Sequence, residues 1–98
     1  MISPAAEAAL GDAYAHLNKL DDAVSAFKKA ASMADSKADD DTNNSLSPVF
    51  LIKAGEILES QNKKADALSI YQDVKKKYVN SMLVQSGEID KYIERASN

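Results

Sequence analysis

The 98-residue sequence contains no cysteine and a single histidine, His16. Without thiols there is neither a disulfide framework nor a thiolate metal site, and one histidine cannot build a zinc cluster. Cation excess is also missing: twelve Lys and Arg against fifteen Asp and Glu leave a formal net charge of -3. A nucleic-acid surface needs clustered positive charge to displace counterions from phosphates, so DNA and RNA are not expected partners. No apolar run approaches the ~20 residues of a membrane span. Met1-Ile2-Ser3-Pro4 lacks the basic start and apolar run of a secretory signal. The chain as given is expected to be soluble, with no direct membrane insertion.

Catalytic signatures are absent in the same way. There is no Gly-rich phosphate loop, no nucleophile elbow, and no histidine near a serine in a recognisable order, so no enzyme activity and no cofactor are expected. Asp21-Asp22 reads as a solvated pair on a helix, without the apolar pocket that would separate two carboxyl pKa values. Asp39-Asp40-Asp41-Thr42-Asn43-Asn44 superficially resembles a calcium loop. It lacks the turn glycine, and Phe50 stands where the twelfth-position Glu belongs. Lys75-Lys76-Lys77, late in a helical segment, suits the helix dipole and solubility more than an anionic ligand.

What is present is helical periodicity. From Pro4 to Leu17, Leu10, Tyr14 and Leu17 recur at spacings of four and three on an alanine-rich background, which predicts an amphipathic helix opened by Ser3 as cap and Pro4 in its first turn. After a polar turn at Asn18-Lys19, Leu20, Ala23, Val24, Phe27, Ala30, Ala31 and Ala34 share one face of a second helix. Asp35 to Leu46 offers almost nothing to bury and reads as a solvated loop. Ser47-Pro48 repeats the Ser-Pro opening, and Leu51, Ala54, Ile57 and Leu58 predict a third helix ending near Gln61-Asn62. A fourth spans roughly Lys64 to Tyr78, and Ile89, Tyr92, Ile93 and Ala96 mark a closing helix. Nothing alternates as a strand, so the expected fold is all-α, with antiparallel helix pairs.

The chain also aligns with itself. Leu10-Gly11, Tyr14, Ala23, Phe27 and Ala30 fall opposite Ala54-Gly55, Leu58, Ala67, Tyr71 and Val74, every pair 44 positions apart. Small residues at Gly11, Gly55, Ala23 and Ala67 would let paired helices approach, with the aromatics filling the space beside them. This pattern resembles the tetratricopeptide repeat, in which Leu-Gly and then Tyr lie on helix A and a small residue followed by an aromatic lies on helix B. The resemblance implies one domain over 1–98: a first repeat at about 4–34, a polar loop at 35–46, a second repeat at about 47–78 and a capping helix at about 82–97, forming a fragment of an α-α superhelix. The offset exceeds the usual ~34 residues of the repeat, and the loop absorbs the excess at little entropic cost. Glu7 and Val79 depart from the family pattern, which has a large apolar residue and often proline there. Gly-Asp-Ala-Tyr at 11–14, Lys-Ala-Gly at 53–55 and Ile-Asp-Lys-Tyr-Ile-Glu-Arg-Ala at 89–96 are similar to the C-terminal region of bacterial membrane-anchored tetratricopeptide proteins. That similarity implies that the chain is a fragment whose Met1 need not be a natural start.

The family binds peptide segments along a groove lined by A helices. Carried over, that groove would present Ala5, Ala8, Asp12, Ala15 and His16 from the first unit and Val49, Ile52, Glu56, Glu59 and Ser60 from the second. We take Asp12, His16, Val49, Ile52, Glu56 and Glu59 as the candidate partner-binding set. Asp12 and Glu56 occupy positions where some members hold a terminal carboxylate, and acids there would repel one. Val49 and Ile52 are expected as exposed apolar residues contacting a ligand, a neighbouring repeat or another copy. The resemblance thus implies a protein-interaction module. The alternative it leaves open is a scaffold that stacks on upstream repeats or self-associates.

Overall fold

The computed structural model describes residues 2–98 as six helices: α1 (Pro4–His16), α2 (Leu20–Ser36), α3 (Ser47–Ser60), α4 (Lys64–Lys77), α5 (Met82–Gln85) and α6 (Ile89–Ser97). No strand occurs among the described residues. Each long helix packs against its successor, α1 on α2, α2 on α3, α3 on α4 and α4 on α6, giving a slab of 36 × 34 × 16 Å. None of these helices is long and apolar enough to cross a membrane.

The two A-to-B turns are superimposable in their bonding. Asn18 and Asn62 adopt left-handed backbone, with φ of 59° and 62°. The next N–H reaches back to close each helix, Lys19 to the Tyr14 carbonyl and Lys63 to the Leu58 carbonyl, both at 2.8 Å. This is the Schellman arrangement, with asparagine in the position glycine usually takes. A residue with Cβ but no local polar group tolerates that conformation poorly. Asn62→Ala is therefore expected to lower stability by about 1 kcal/mol, or roughly 4–8 °C in Tm, whereas Asn62→Gly should hold or raise it in the same melts.

Between the helices of each pair, a glycine lies under an aromatic ring. A Cβ on Gly11 would come 3.0 Å from Phe27 Cζ, and one on Gly55 would come 2.7 Å from Tyr71 Cζ. Phe27, Tyr71, Val74 and Ile89 are fully enclosed, and Ala23, Ala30, Ala54 and Ala67 fill the narrow places around them. Alanine at these crossings keeps the axes close, and the rings supply most of the buried apolar area.

Three expectations need correction. First, α1 does not bury the stripe of its large residues. Pro4, Glu7, Ala8 and Gly11 face inward, while Leu10 and Leu17 are 38% and 67% exposed. A helix apolar on both sides has no unique inner face, and the small side, which fits under Phe27, takes it. Second, the segment from Asp35 is not a free solvated loop: α2 runs on to Ser36, and Asp35 is buried. Its carboxylate accepts from the Asn43 N–H (2.8 Å), Ser47 Oγ (2.6 Å), Tyr78 Oη (2.5 Å) and Lys77 Nζ (3.0 Å), joining α2, the loop, α3 and α4. Burial opposes the ion, but these donors outweigh it and hold the carboxyl below its usual range. The second Ser-Pro pair consequently works unlike the first. Ser3 caps α1 by accepting the Ala6 N–H, whereas Ser47 serves Asp35 and Asn43 Oδ1 accepts the N–H groups of Ser45 and Leu46 just ahead of α3. Third, the closing segment is two helices, broken by Gly87 at φ 79°.

Candidate partner groove

Helices α1 and α3 both pack on α2, and a depression of about 340 Å³ is lined by residues of all three. Phe27 from α2 contributes to its lining, with Ala15 from α1 and Ile57 from α3, and Asp12, Lys53, Glu56 and Ser60 stand around it. Lys53 Nζ lies 3.4 Å from Asp12 Oδ1 and 5.5 Å from the Phe27 ring centroid. Both partners of that ion pair are about half exposed, so it contributes at most ~1 kcal/mol and can yield to an incoming group. Glu56 has no ion-pair partner within 4.0 Å among the described residues.

Of the six candidate residues, the structure brings Asp12 and Glu56 together in this depression. His16 is exposed at the C-terminal end of α1 but does not line it. Val49 is exposed and borders a different hollow, of about 480 Å³, with Pro48, Met82 and Leu83 among its neighbours. Ile52 is the clear correction: only 6% exposed, it belongs to the core. Ile52→Glu is thus expected to act on folding, costing at least ~3 kcal/mol by burying an unpaired carboxylate. Loss of the cooperative thermal transition would register it.

Glu59 is committed elsewhere. Arg95 of α6 grips it with two donors, Nε to Oε2 at 2.8 Å and Nη2 to Oε1 at 2.6 Å, and Tyr71 Oη donates to Oε1 at 2.5 Å. The hydrogen bonds from Arg95 hold this carboxyl below its ordinary range against the opposing effect of burial, with Tyr71 adding to them. Burial and the adjacent Glu59 charge together push the Tyr71 phenol up. Tyr92 sits 5.4 Å from Tyr71, ring centre to centre, and under the Arg95 guanidinium. Glu59 thereby fastens α6 to the second helix pair. Arg95 lies 36 residues from Glu59 and carries no local signal of the contact. Phe27 and Lys53 are not among the groove residues expected from the sequence; the one-turn spacing of Lys53 and Glu56 is the signal that puts Lys53 on the same face.

Helix pairs recurring at a fixed interval, with matching Schellman turns and a glycine set under an aromatic ring in each, define a helical-hairpin repeat. Residues 51–81 match the family model described as tetratricopeptide repeat, and the second helix pair is such a repeat. Comparison with curated proteins and with solved structures gave no match. Repeats of this kind belong to protein-interaction and scaffold modules and are typically non-catalytic. Among the described residues, no three His, Asp or Glu gather into a metal-binding group.

Proposed function

We propose that this chain is a non-enzymatic interaction module that receives a segment of a partner protein across the α1–α3 face. The observation that carries this reading is the depression between α1 and α3: both helix pairs contribute to it, its apolar part is framed by polar groups, and one carboxylate, Glu56, has no ion partner among the described residues. The test is affinity capture from the native source with the wild type and with Ala15→Arg/Glu56→Lys, which alters positions outside the buried core. Capture of a protein by the wild type, lost in a variant of unchanged helicity by circular dichroism, supports the groove. Equal capture by both would refute it.

A second reading, a stacking scaffold, is favoured by one specific observation: the outer side of α1 is apolar and uncovered. Photo-crosslinkers placed at Leu10 and Leu17, with exposed Ser32 on α2 as control, distinguish it. Crosslinks from α1 to a helical-repeat segment or to the same chain favour stacking, and crosslinks no stronger than from Ser32 count against it.

A further inference from the structure

The apolar outer side of α1 has an internal counterpart. Ala6, Leu10, Ala13 and Leu17 correspond, 44 positions on, to Phe50, Ala54, Ile57 and Gln61. Along α3 Phe50 and Ala54 are buried, and Gln61, its C-cap residue, donates to Asp21 of α2. In α1 and its C-cap residue Leu17 the same four positions are all exposed. The fold therefore uses this side of an A helix as a seam, and one copy of the seam is open.

The side chains on the open seam indicate what closes it. Their spacing of four, three and four is that of a coiled-coil seam, with leucine and alanine alternating. Two such helices placed antiparallel, in the register that pairs Leu10 with Ala13 and Leu17 with Ala6 of the other copy, set a large residue against a small one in every layer. A parallel pair would stack leucine on leucine and alanine on alanine, crowding some layers and leaving voids in others. The seam carries no charge: Glu7 is buried inward and Asp12 turns to Lys53, so like charges do not meet across a two-fold axis. The outer side of α6 exposes Asp90, Lys91 and Glu94 and does not match the uncharged α1 stripe, and the apolar residue exposed beside it, Met82 of α5, stands alone on a four-residue helix. A closed pair follows, rather than a filament.

We propose that the outer stripe of α1 docks antiparallel on the same stripe of a second copy, forming a two-fold symmetric dimer. This rests on the stacking reading of α1. A 13-residue helix is only about 20 Å long, so the contact falls below ~1,200 Å² in total and is weak and reversible.

Sedimentation equilibrium up to about 1 mM protein tests it. The expected mass rises with concentration from 10.6 kDa to a plateau at twice that value, and Leu10→Glu/Ala13→Glu stays monomeric with unchanged helicity. Because the chain has no cysteine, Leu10→Cys and Ala13→Cys chains can be mixed and oxidised. In an equimolar mixture the mixed disulfide should exceed twice the amount of either homodimer, the ratio that random pairing gives. A monomer at every concentration overturns the dimer while leaving the stacking reading to the photo-crosslinks. Mass rising without a plateau, a mixed disulfide at or below the random ratio, or association lost in Met82→Glu rather than in the α1 variant also overturns it.

Discussion

Asp35→Ala should destabilise the protein by about 3 kcal/mol, because the Tyr78 hydroxyl and the Asn43 N–H lose their acceptor and the Ser47 hydroxyl keeps only the Ala31 carbonyl. The exposed lysine in the cluster adds little, since Lys77 is half in water. Asp35→Asn keeps the shape and one acceptor oxygen, so its effect should be smaller and dependent on pH. A carboxyl whose folded pKa is depressed contributes its full stability above the unfolded value, ~3.9, and loses that contribution as pH falls through the lower folded value. Asp35 and Glu59 are both depressed, so wild-type stability should decline on acidification below about pH 4. The gap between wild type and Asp35→Asn should narrow over the same range. Urea titrations at neutral pH and at progressively lower pH measure both effects. A gap that is constant with pH would show that the charge on Asp35 contributes nothing.

The glycines yield the second large effect, and they should differ. Alanine at Gly55 would drive a methyl into Tyr71, whose ring is enclosed and whose hydroxyl is held by Glu59. Overpacking of this kind costs ~1–3 kcal/mol, and the gain in helix propensity of about 1 kcal/mol offsets only part of it. Gly55→Leu, with nowhere to place a branched side chain, should remove the cooperative transition altogether. Gly11→Ala meets the Phe27 ring tip at 3.0 Å, and α1, packed on its inner side against α2, can shift by the few tenths of an ångström required. Its net effect should lie within ~1 kcal/mol of zero, propensity and crowding nearly cancelling. Equal losses at the two glycines would mean that the hairpins are equally rigid, contrary to their different surroundings.

These residues show what the sequence makes legible. The helices, the glycine and aromatic positions and the doubled pattern are written locally, in periods of three and four and in one long offset, and the structure follows them. The orientation of α1 is not written locally. Its leucines mark a stripe, but whether that stripe faces in depends on how closely a neighbouring helix can approach, and Gly11 with Ala8 allows the closer fit on the other side. Ile52 was misplaced for a related reason: a family position names a face, while the burial of that face depends on the particular neighbours around it. Asp35 sits in a run of polar residues that looks solvated. What buries it is Tyr78, 43 positions later, together with a serine that resembles a cap. Long-range polar contacts of this kind leave no periodicity to detect.

The cluster around Asp35 has a further consequence for how the molecule comes apart. Helical arrays joined only by nearest neighbours can open one unit at a time. Here the end of the first hairpin, the connecting loop, the start of α3 and the end of α4 share one carboxylate, so those segments should open as a single cooperative unit. Helix α1 lies outside that linkage: it packs on one long helix, α2, and its tie to α3 is the half-exposed Asp12–Lys53 ion pair. Its amide protons should exchange first, by fraying well below the global unfolding free energy. Protection should then rise abruptly rather than gradually on entering α2, giving the chain a direction of unravelling that begins at the leucine-bearing end.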